Sequence, residues 1–119
     1  MVSAIDHAAT SRRLIQQADE ELAQGDLLQA AEKGWGSAAH AMKSIARSRG
    51  WRHTSHSDLF IIARRVADEM NQPEIRTLFQ VASVTHQNFY EGWLDAEDLA
   101  RNLADIRTLL EMLDRVPNT

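Results

Sequence analysis

The sequence predicts an all-α fold, a four- to five-helix up-and-down antiparallel bundle, on three observations. Helix-stop residues fall at nearly regular intervals along the chain, and side chains that cap helix N-termini stand at the starts that follow them. Between these breaks, apolar residues recur three and four positions apart, which is the spacing of an amphipathic helix. Two prolines, five glycines and one tyrosine leave little material for a turn-rich β fold.

The breaks divide the chain into five predicted helices. Gly25 and Gly50 end the first two, since glycine often follows a helix C-terminus in the left-handed conformation. Asp26 and Ser55 are expected to cap the helices that follow, and Pro73 suits the first position of the fourth helix. We expect a single domain, residues 1–119, with helices at about residues 3–24, 27–48, 56–70, 73–91 and 96–115.

The apolar stripes of these helices are expected to bury against one another in one core. The fourth helix carries a histidine, His86, on its stripe. The stripe of the second helix is mainly alanine, with Gly34 and Gly36 inside the helix. Because an internal glycine costs up to about 1 kcal/mol relative to alanine, we expect another helix to approach closely there. The clearest stripe, in the fifth helix, consists of Leu99, Leu103, Ile106, Leu110 and Leu113.

Composition narrows the classes of protein to consider. At 119 residues, with 44% hydrophobic and 25% charged residues, the chain has the make-up of one ordinary globular domain. It lacks cysteine and an N-terminal signal peptide pattern, and its longest apolar run, residues 59–62, is too short for a membrane span. We therefore expect a cytoplasmic protein with no membrane partner and no cofactor. A formal charge of −4 argues against unspecific nucleic-acid binding.

One concentrated basic segment, residues 43–56 with the sequence KSIARSRGWRHTSH, contains no acidic residue. It covers the end of the second helix, a loop and the start of the third helix, where backbone amides and the helix dipole favour an anion. A phosphate site is one interpretation, with the aromatic ring stacking on a base. The alternative is structural, because arginines near a helix C-terminus complement its dipole and a tryptophan can simply cover the loop. The candidate ligand-binding residues are Arg47, Arg49, Trp51, Arg52, His53 and His56.

Histidines supply the candidate catalytic chemistry. His86, with Tyr90 one turn further on, could act as a general acid–base residue, although a lone histidine on an apolar face is more often a hydrogen-bonded core residue. His53 and His56 stand three residues apart, but no third ligand adjoins them before Asp58. No metal site is predicted.

The fifth helix carries an excess of acidic side chains, which is typical of a solvated face. The chain is thus basic around its second loop and acidic on its last helix. Such polarity could orient two copies or a partner chain. A homodimer is therefore a reasonable hypothesis.

Three segments in order, GDLLQAAEKGW at residues 25–35, TSHSDL at residues 54–59 and HQNFYE at residues 86–91, resemble the HEPN superfamily of small helical domains and, within it, the PaREP-like branch. The resemblance spans roughly residues 14–113, nearly the whole chain. It implies a helical bundle that commonly forms a homodimer. Its members work as metal-independent ribonucleases, as toxins paired with a nucleotidyltransferase antitoxin, or as nucleotide-binding modules.

Catalytic members of that superfamily carry an arginine followed about four to six residues later by a histidine, near a dimer cleft. His86 and Tyr90 look like the end of this signature, but the nearest upstream arginine, Arg76, is ten residues away. Arg47 and His53 have the spacing but lie at a different point of the chain. Because the arginine of the signature is missing ahead of His86, the resemblance implies a catalytically degenerate member of the superfamily.

Three functions follow as hypotheses. The first is a homodimeric HEPN-like bundle that binds a nucleotide, an RNA or a partner protein without being an efficient enzyme. The second is a metal-independent ribonuclease, the toxin of a toxin–antitoxin pair, in which His86 is the acid–base residue. The third is a purely structural interaction module, with a nucleotidyltransferase-type protein as its partner.

Overall fold

The computed structural model of the protein describes residues 2–117 and leaves Met1, Asn118 and Thr119 outside the description. The described chain forms five α-helices and a compact bundle, so the predicted all-α class is confirmed. The helices are α1 (Ala4–Gln24), α2 (Leu27–Arg49), α3 (His56–Met70), α4 (Glu74–Tyr90) and α5 (Ala96–Leu113).

Local chemistry accounts for where each helix begins and ends. Gly25 and Gly50 follow α1 and α2 with φ of 83° and 71°, the left-handed region that glycine enters without a steric cost. Asn71 takes the same role after α3 with φ of 52°. Ser55 forms a reciprocal capping box with Asp58 at the start of α3. These breaks in the sequence therefore coincide with helix boundaries. Pro73 differs by one residue from its expected place, because it stands at the N-cap and α4 begins at Glu74.

Helix α2 occupies the centre of the bundle, because it packs against all four other helices. Helix α1 lies along α2 over most of its length, and α5 closes the structure against α4 and α1 as well. The core is filled by α2 alanines together with larger side chains from α3, α4 and α5. The largest fully buried hydrophobic side chains are Phe79, Met42, Ile62, Ile75, Leu99, Leu103, Ile106, Leu109 and Val66.

The two glycines inside α2 meet neighbouring helices. A Cβ atom added at Gly34 would lie 2.5 Å from Cδ2 of Leu103, so α5 crosses α2 there so closely that any side chain at residue 34 would force Leu103 to shift. A Cβ atom at Gly36 would lie 3.1 Å from Cδ1 of Leu14 on α1. The expected compensation for internal glycine is therefore close helix packing.

Two positions depart from the predicted stripes. In α5, Leu109 is fully buried and Leu110 is only partly buried. In α4, Thr85 is fully buried, whereas the side chain of His86 remains 34% exposed. Thr85 satisfies its buried hydroxyl by donating to the carbonyl of Val81. A helix has 3.6 residues per turn, so a stripe counted in steps of three and four can miss the buried position by one residue.

Candidate functional site

The structure distributes the candidate residues of the basic segment over three places. Arg47 and His53 line a hollow between the start of α1, the C-terminal half of α2 and the loop that follows it. Trp51 and Arg52 lie on the opposite flank of the loop, beside α3. His56 lines a separate groove, which it shares with His86. The segment is therefore continuous in sequence but does not form one binding surface.

The first of these places is a hollow of about 410 Å³, here called the cationic hollow. Three separate segments contribute to it, and Lys43, half-buried on α2, adds a permanent positive charge. None of the described residues that line it is acidic. Such a lining favours an anion. The lining residues are Val2, His7, Lys43, Arg47, His53 and Thr54.

A pair of histidines joins α1 to α2 beside the cationic hollow. Nδ1 of His7 lies 2.9 Å from Nδ1 of His40, and His7 is only 7% exposed. The rings of His7 and His53 also stand nearly perpendicular to each other, with 5.9 Å between the ring centroids. Nδ1 of His53 is 2.9 Å from the carbonyl oxygen of Trp51 and must donate to it, because a carbonyl can only accept.

The environment of this pair disfavours additional positive charge. Burial lowers the pKa of His7 and that of His40, and the positive charge of Lys43 lowers both further. His53 and Arg47 add to the effect at His7, while the carboxylate of Asp6 opposes it. Both imidazoles are therefore neutral at pH 7. The positive potential around them, which comes from the neighbouring cations, attracts an anion.

The ring of Trp51 is already covered by arginine. The guanidinium carbon of Arg65 lies 3.8 Å from the ring centroid, and that of Arg49 lies 5.1 Å from it. Arg49 in turn pairs with Glu69, at 2.9 Å between Nη2 and Oε2, and donates to the carbonyl of Pro117. A base could stack on Trp51 only by displacing one of these contacts, so the geometry favours the structural interpretation of Trp51 and Arg49.

The N-terminus of α3 is also occupied. Oδ2 of Asp58 accepts hydrogen bonds from the backbone amides of Thr54 and Ser55, at 3.1 and 3.2 Å. The bond from the Ser55 amide is the main reason that the pKa of Asp58 is lowered, and the positive charge of exposed Arg52 contributes. The chain thus supplies its own anion to these amides.

The remaining candidates meet in a groove of about 290 Å³ between α2, α3 and α4, here called the aromatic groove. His56 approaches Trp35 edge-on, with 5.3 Å between the centroids. None of the described residues that line this groove is lysine or arginine. The lining residues are Trp35, His56, Phe60, Ser83, His86 and Gln87.

A carboxylate holds His86 and Tyr90 together at the edge of the aromatic groove. Oε1 of Glu32 lies 3.5 Å from Nε2 of His86 and accepts a hydrogen bond of 3.2 Å from the hydroxyl of Tyr90. The His86 and Tyr90 rings meet edge-on at 4.6 Å. The bond to Glu32 raises the pKa of Tyr90. This arrangement places a carboxylate beside an imidazole, as acid–base sites often do, but the described residues that line the groove include no lysine or arginine to neutralise a phosphate.

Sequence reasoning missed His7 and His40 as site residues, because neither has a partner within its own helix. A signal was nevertheless present. Gly25 and Asp26 form a tight turn between antiparallel helices, so positions equally far from that turn lie side by side. Counting outwards from it brings residue 7 next to residues 40–44, where Lys43 also stands.

Along residues 2–117, no three side chains of histidine, aspartate or glutamate are grouped so that they could hold a metal ion. In the same range, no helix combines the length and apolar character that a bilayer span requires.

Fold and site together define a five-helix bundle with a cationic hollow at the α1–α2–loop corner and a histidine-containing aromatic groove beside α4. Residues 6–110 match the sequence profile of the Archaeal PaREP1/PaREP8 family. Because the match covers most of the chain, the protein belongs to this family.

The fold has a known counterpart. The crystal structure of a protein from Sulfolobus solfataricus is similar to this chain with a TM-score of 0.78 and 24% sequence identity, over 88% of this chain and 93% of that one. At this level of identity the likeness concerns the fold alone. No curated protein matches the chain.

Proposed function

We propose that the protein is a HEPN-like homodimeric bundle that binds a phosphate-bearing ligand, a nucleotide or an RNA, in the cationic hollow. One observation carries the proposal. Lys43, Arg47 and His53 converge on a single hollow that no acidic side chain lines among the described residues. Phosphate is the biological anion that such a convergence of nitrogen donors suits best.

The structure supports a smaller set of binding residues than the sequence suggested. Arg47 and His53 line the cationic hollow, and Lys43 joins them from one turn earlier on α2. Arg49 pairs with Glu69, Trp51 is covered by Arg65, and Arg52 lines a different hollow together with Asp58. In this proposal they hold the loop in place while Lys43, Arg47 and His53 contact the phosphate.

The test compares two charge-removing variants by isothermal titration calorimetry at low salt, with AMP and a short single-stranded RNA as ligands. Lys43→Gln removes a charge from the cationic hollow and is expected to weaken binding tenfold or more, since a hydrogen bond to a charged group contributes about 1.5–3 kcal/mol. Arg101→Gln removes an exposed charge on α5, remote from the hollow, and is expected to bind as the wild type does. Absence of heat with both ligands, or equal weakening by the two variants, would contradict the proposal.

A second candidate function is a metal-independent ribonuclease centred on His86. The observation that favours it is the contact of Glu32 with both His86 and Tyr90, because a carboxylate that orients an imidazole is a common feature of acid–base sites. An arginine would have to come from elsewhere, such as a second copy. Incubation of labelled RNA with the wild type and with His86→Ala decides the matter, and equal background cleavage by both rules the enzyme out.

Homodimerisation rests on exposed aromatic surface. Tyr90 and Trp93 are 61% and 68% exposed at the C-terminal end of α4 and the loop after it. Burying two such rings in a self-complementary contact would remove a large apolar area from water. We expect light scattering to give a dimer mass for the wild type and a lower mass for Trp93→Ser. A monomer at all concentrations would favour a single-copy module or one that pairs with a nucleotidyltransferase-type protein, which co-purification tests.

A further inference from the structure

The hydrogen bond between His7 and His40 limits how many protons the two rings can carry. At 2.9 Å, one Nδ1 must donate its hydrogen and the other must accept with its lone pair. The ring that donates from Nδ1 is neutral only while its Nε2 is free of hydrogen. One further proton can therefore be added at that Nε2 with the bond intact. Another proton, on the accepting Nδ1, would break the bond.

The charged and titratable groups that act on the pair lie on α1, on α2 and in the loop after α2. Lys43 and Arg47 approach from α2 and His53 from the loop. On α1, Asp6 attracts a proton to His7 and Arg13 repels one from His40. The cations outnumber the single carboxylate, so the empty site resists the extra proton. An anion entering the cationic hollow reverses this balance, because its negative charge stabilises a protonated imidazole.

We propose that the cationic hollow binds the dianionic phosphate of a monoester, and that the His7–His40 pair takes up one proton from solvent as the phosphate enters. This inference rests on the proposed function of phosphate binding. The added proton goes to Nε2 of the donor ring, and the Nδ1 to Nδ1 bond persists. His7, which lines the hollow, is the ring assigned to carry it.

Charge matching selects a monoester over a diester. Lys43 and Arg47 bring two permanent positive charges to one hollow, and the protonated pair adds a third. A phosphate monoester carries about −1.5 to −2 at pH 7 and three terminal oxygens, whereas a diester inside an RNA strand carries a single charge. The monoester can belong to a free nucleotide or to the end of an RNA, and both present the same group.

The experiment is calorimetric titration of the wild-type protein with AMP and with 3′,5′-cyclic AMP. The two ligands have the same base and sugar, but AMP is a phosphate monoester and cyclic AMP is a diester. Repeating each titration in buffers of different ionisation enthalpy counts the protons exchanged. We expect AMP binding to take up at most about one proton, and about half a proton on average between about pH 8 and about pH 6.5, so that the affinity tightens roughly three- to tenfold over this interval. Cyclic AMP is expected to bind at least about tenfold more weakly. The same short RNA with and without a 5′-phosphate distinguishes a strand end from a free nucleotide.

The double variant His7→Asn/His40→Asn tests the source of the proton. Two amides can hydrogen-bond to each other at the place of the two Nδ1 atoms, but neither can take up a proton. We expect this variant to bind AMP more weakly and without proton uptake, while Arg101→Gln keeps both properties. If the double variant does not fold, NMR titration of the wild-type histidines serves instead. AMP should then raise the pKa of one ring of the pair.

The outcomes separate this inference from the proposed function. AMP binding without proton uptake, uptake that persists in the double variant, or an unchanged pKa for both rings would overturn the proton coupling and leave phosphate binding in place. Equal affinity for AMP and cyclic AMP would overturn the choice of a monoester. Failure of AMP and of both RNAs to bind at any pH would overturn the proposed function and the inference together.

Discussion

Gly34 lies where α5 crosses α2, and its missing side chain is the condition for that contact. Alanine at this position would gain about 0.5–1 kcal/mol in helix propensity. Its Cβ atom would also lie 2.5 Å from Cδ2 of Leu103, which is fully buried and has little room to move. Overpacking of this kind costs about 1–3 kcal/mol, so the steric cost exceeds the gain.

We therefore predict that Gly34→Ala lowers the free energy of unfolding by about 1 kcal/mol, measured by urea denaturation. Gly36→Ala is the matched control. Its Cβ atom would lie 3.1 Å from Cδ1 of Leu14, which is only partly buried and can shift. The control is expected to be neutral or to gain up to about 1 kcal/mol. Equal effects of the two substitutions would mean that the contact with α5 does not decide the outcome.

The histidine pair makes stability depend on pH even without a ligand. The pKa of His7 and that of His40 lie below the ordinary value of 6.5, mainly because both rings are buried. The unfolded chain, in which these rings titrate normally, therefore binds more protons than the folded chain just below that pH. Stability contributed by the neutral pair is complete above about pH 6.5 and falls as the pH drops towards the lowered values.

We predict that thermal midpoints of the wild type fall between about pH 7.5 and about pH 5.5, and that His7→Asn/His40→Asn flattens this dependence. Arg101→Gln should follow the wild type, since it removes no histidine. A double variant whose midpoints fall as steeply as those of the wild type would assign the pH dependence to other groups.

At the scale of single elements, α3 depends on its N-terminal cap. Ser55 accepts from the amide of Asp58, and the Asp58 carboxylate accepts from the amides of Ser55 and Thr54. These bonds fix the last part of the loop that carries His53 and His56. The cap therefore helps to position His53 in the cationic hollow and His56 in the aromatic groove.

We predict that Ser55→Ala lowers the free energy of unfolding by about 1 kcal/mol, as loss of a serine N-cap usually does. The neighbouring substitution Ser57→Ala, at an exposed position inside the helix, should change it by less than about 0.5 kcal/mol. Urea denaturation of both variants provides the measurement. Indistinguishable midpoints would show that the Asp58 carboxylate alone sustains the loop.

The helices themselves could be predicted because their signals are local. Gly25, Gly50 and Ser55 act through the backbone of their own turns, so each marks a boundary without knowledge of the rest of the fold. Which stripe residue is deepest is set by neighbouring helices instead. That is why Leu109, not Leu110, reaches the centre, and why Thr85 lies where His86 was expected.

At the scale of the whole molecule, one corner gathers cations into a hollow that has no acidic residue among its described lining residues, in a protein with a formal charge of −4. The sequence predicted the basic segment, but not that its side chains would be distributed over three separate places. Consecutive helical residues point about 100° apart, so Arg47 and Arg49 leave α2 in different directions. His7 reaches the cationic hollow only because α1 packs against α2, and the spacing of residues within one helix does not reveal that packing. The site therefore required the tertiary structure, whereas the fold class did not.

A single hollow also limits how strongly binding depends on salt. With Lys43 and Arg47 as its permanent charges, the site neutralises about two phosphate charges. We predict that affinity for single-stranded RNA falls only about five- to tenfold between 50 and 200 mM salt. Fluorescence anisotropy with labelled RNA measures this slope. A fall of a thousandfold would indicate a long electrostatic track across the surface instead.

The central position of α2 has a consequence for how the molecule opens. A helix that packs against all four others cannot separate without dismantling the whole bundle, so its buried backbone amide protons should exchange with deuterium only through global unfolding. The loop after Gly50 lies outside the helices and should exchange sooner. Lys43 and Arg47 thus stand on the most slowly exchanging helix of the protein. The α2 side of the cationic hollow should therefore be rigid before a ligand binds.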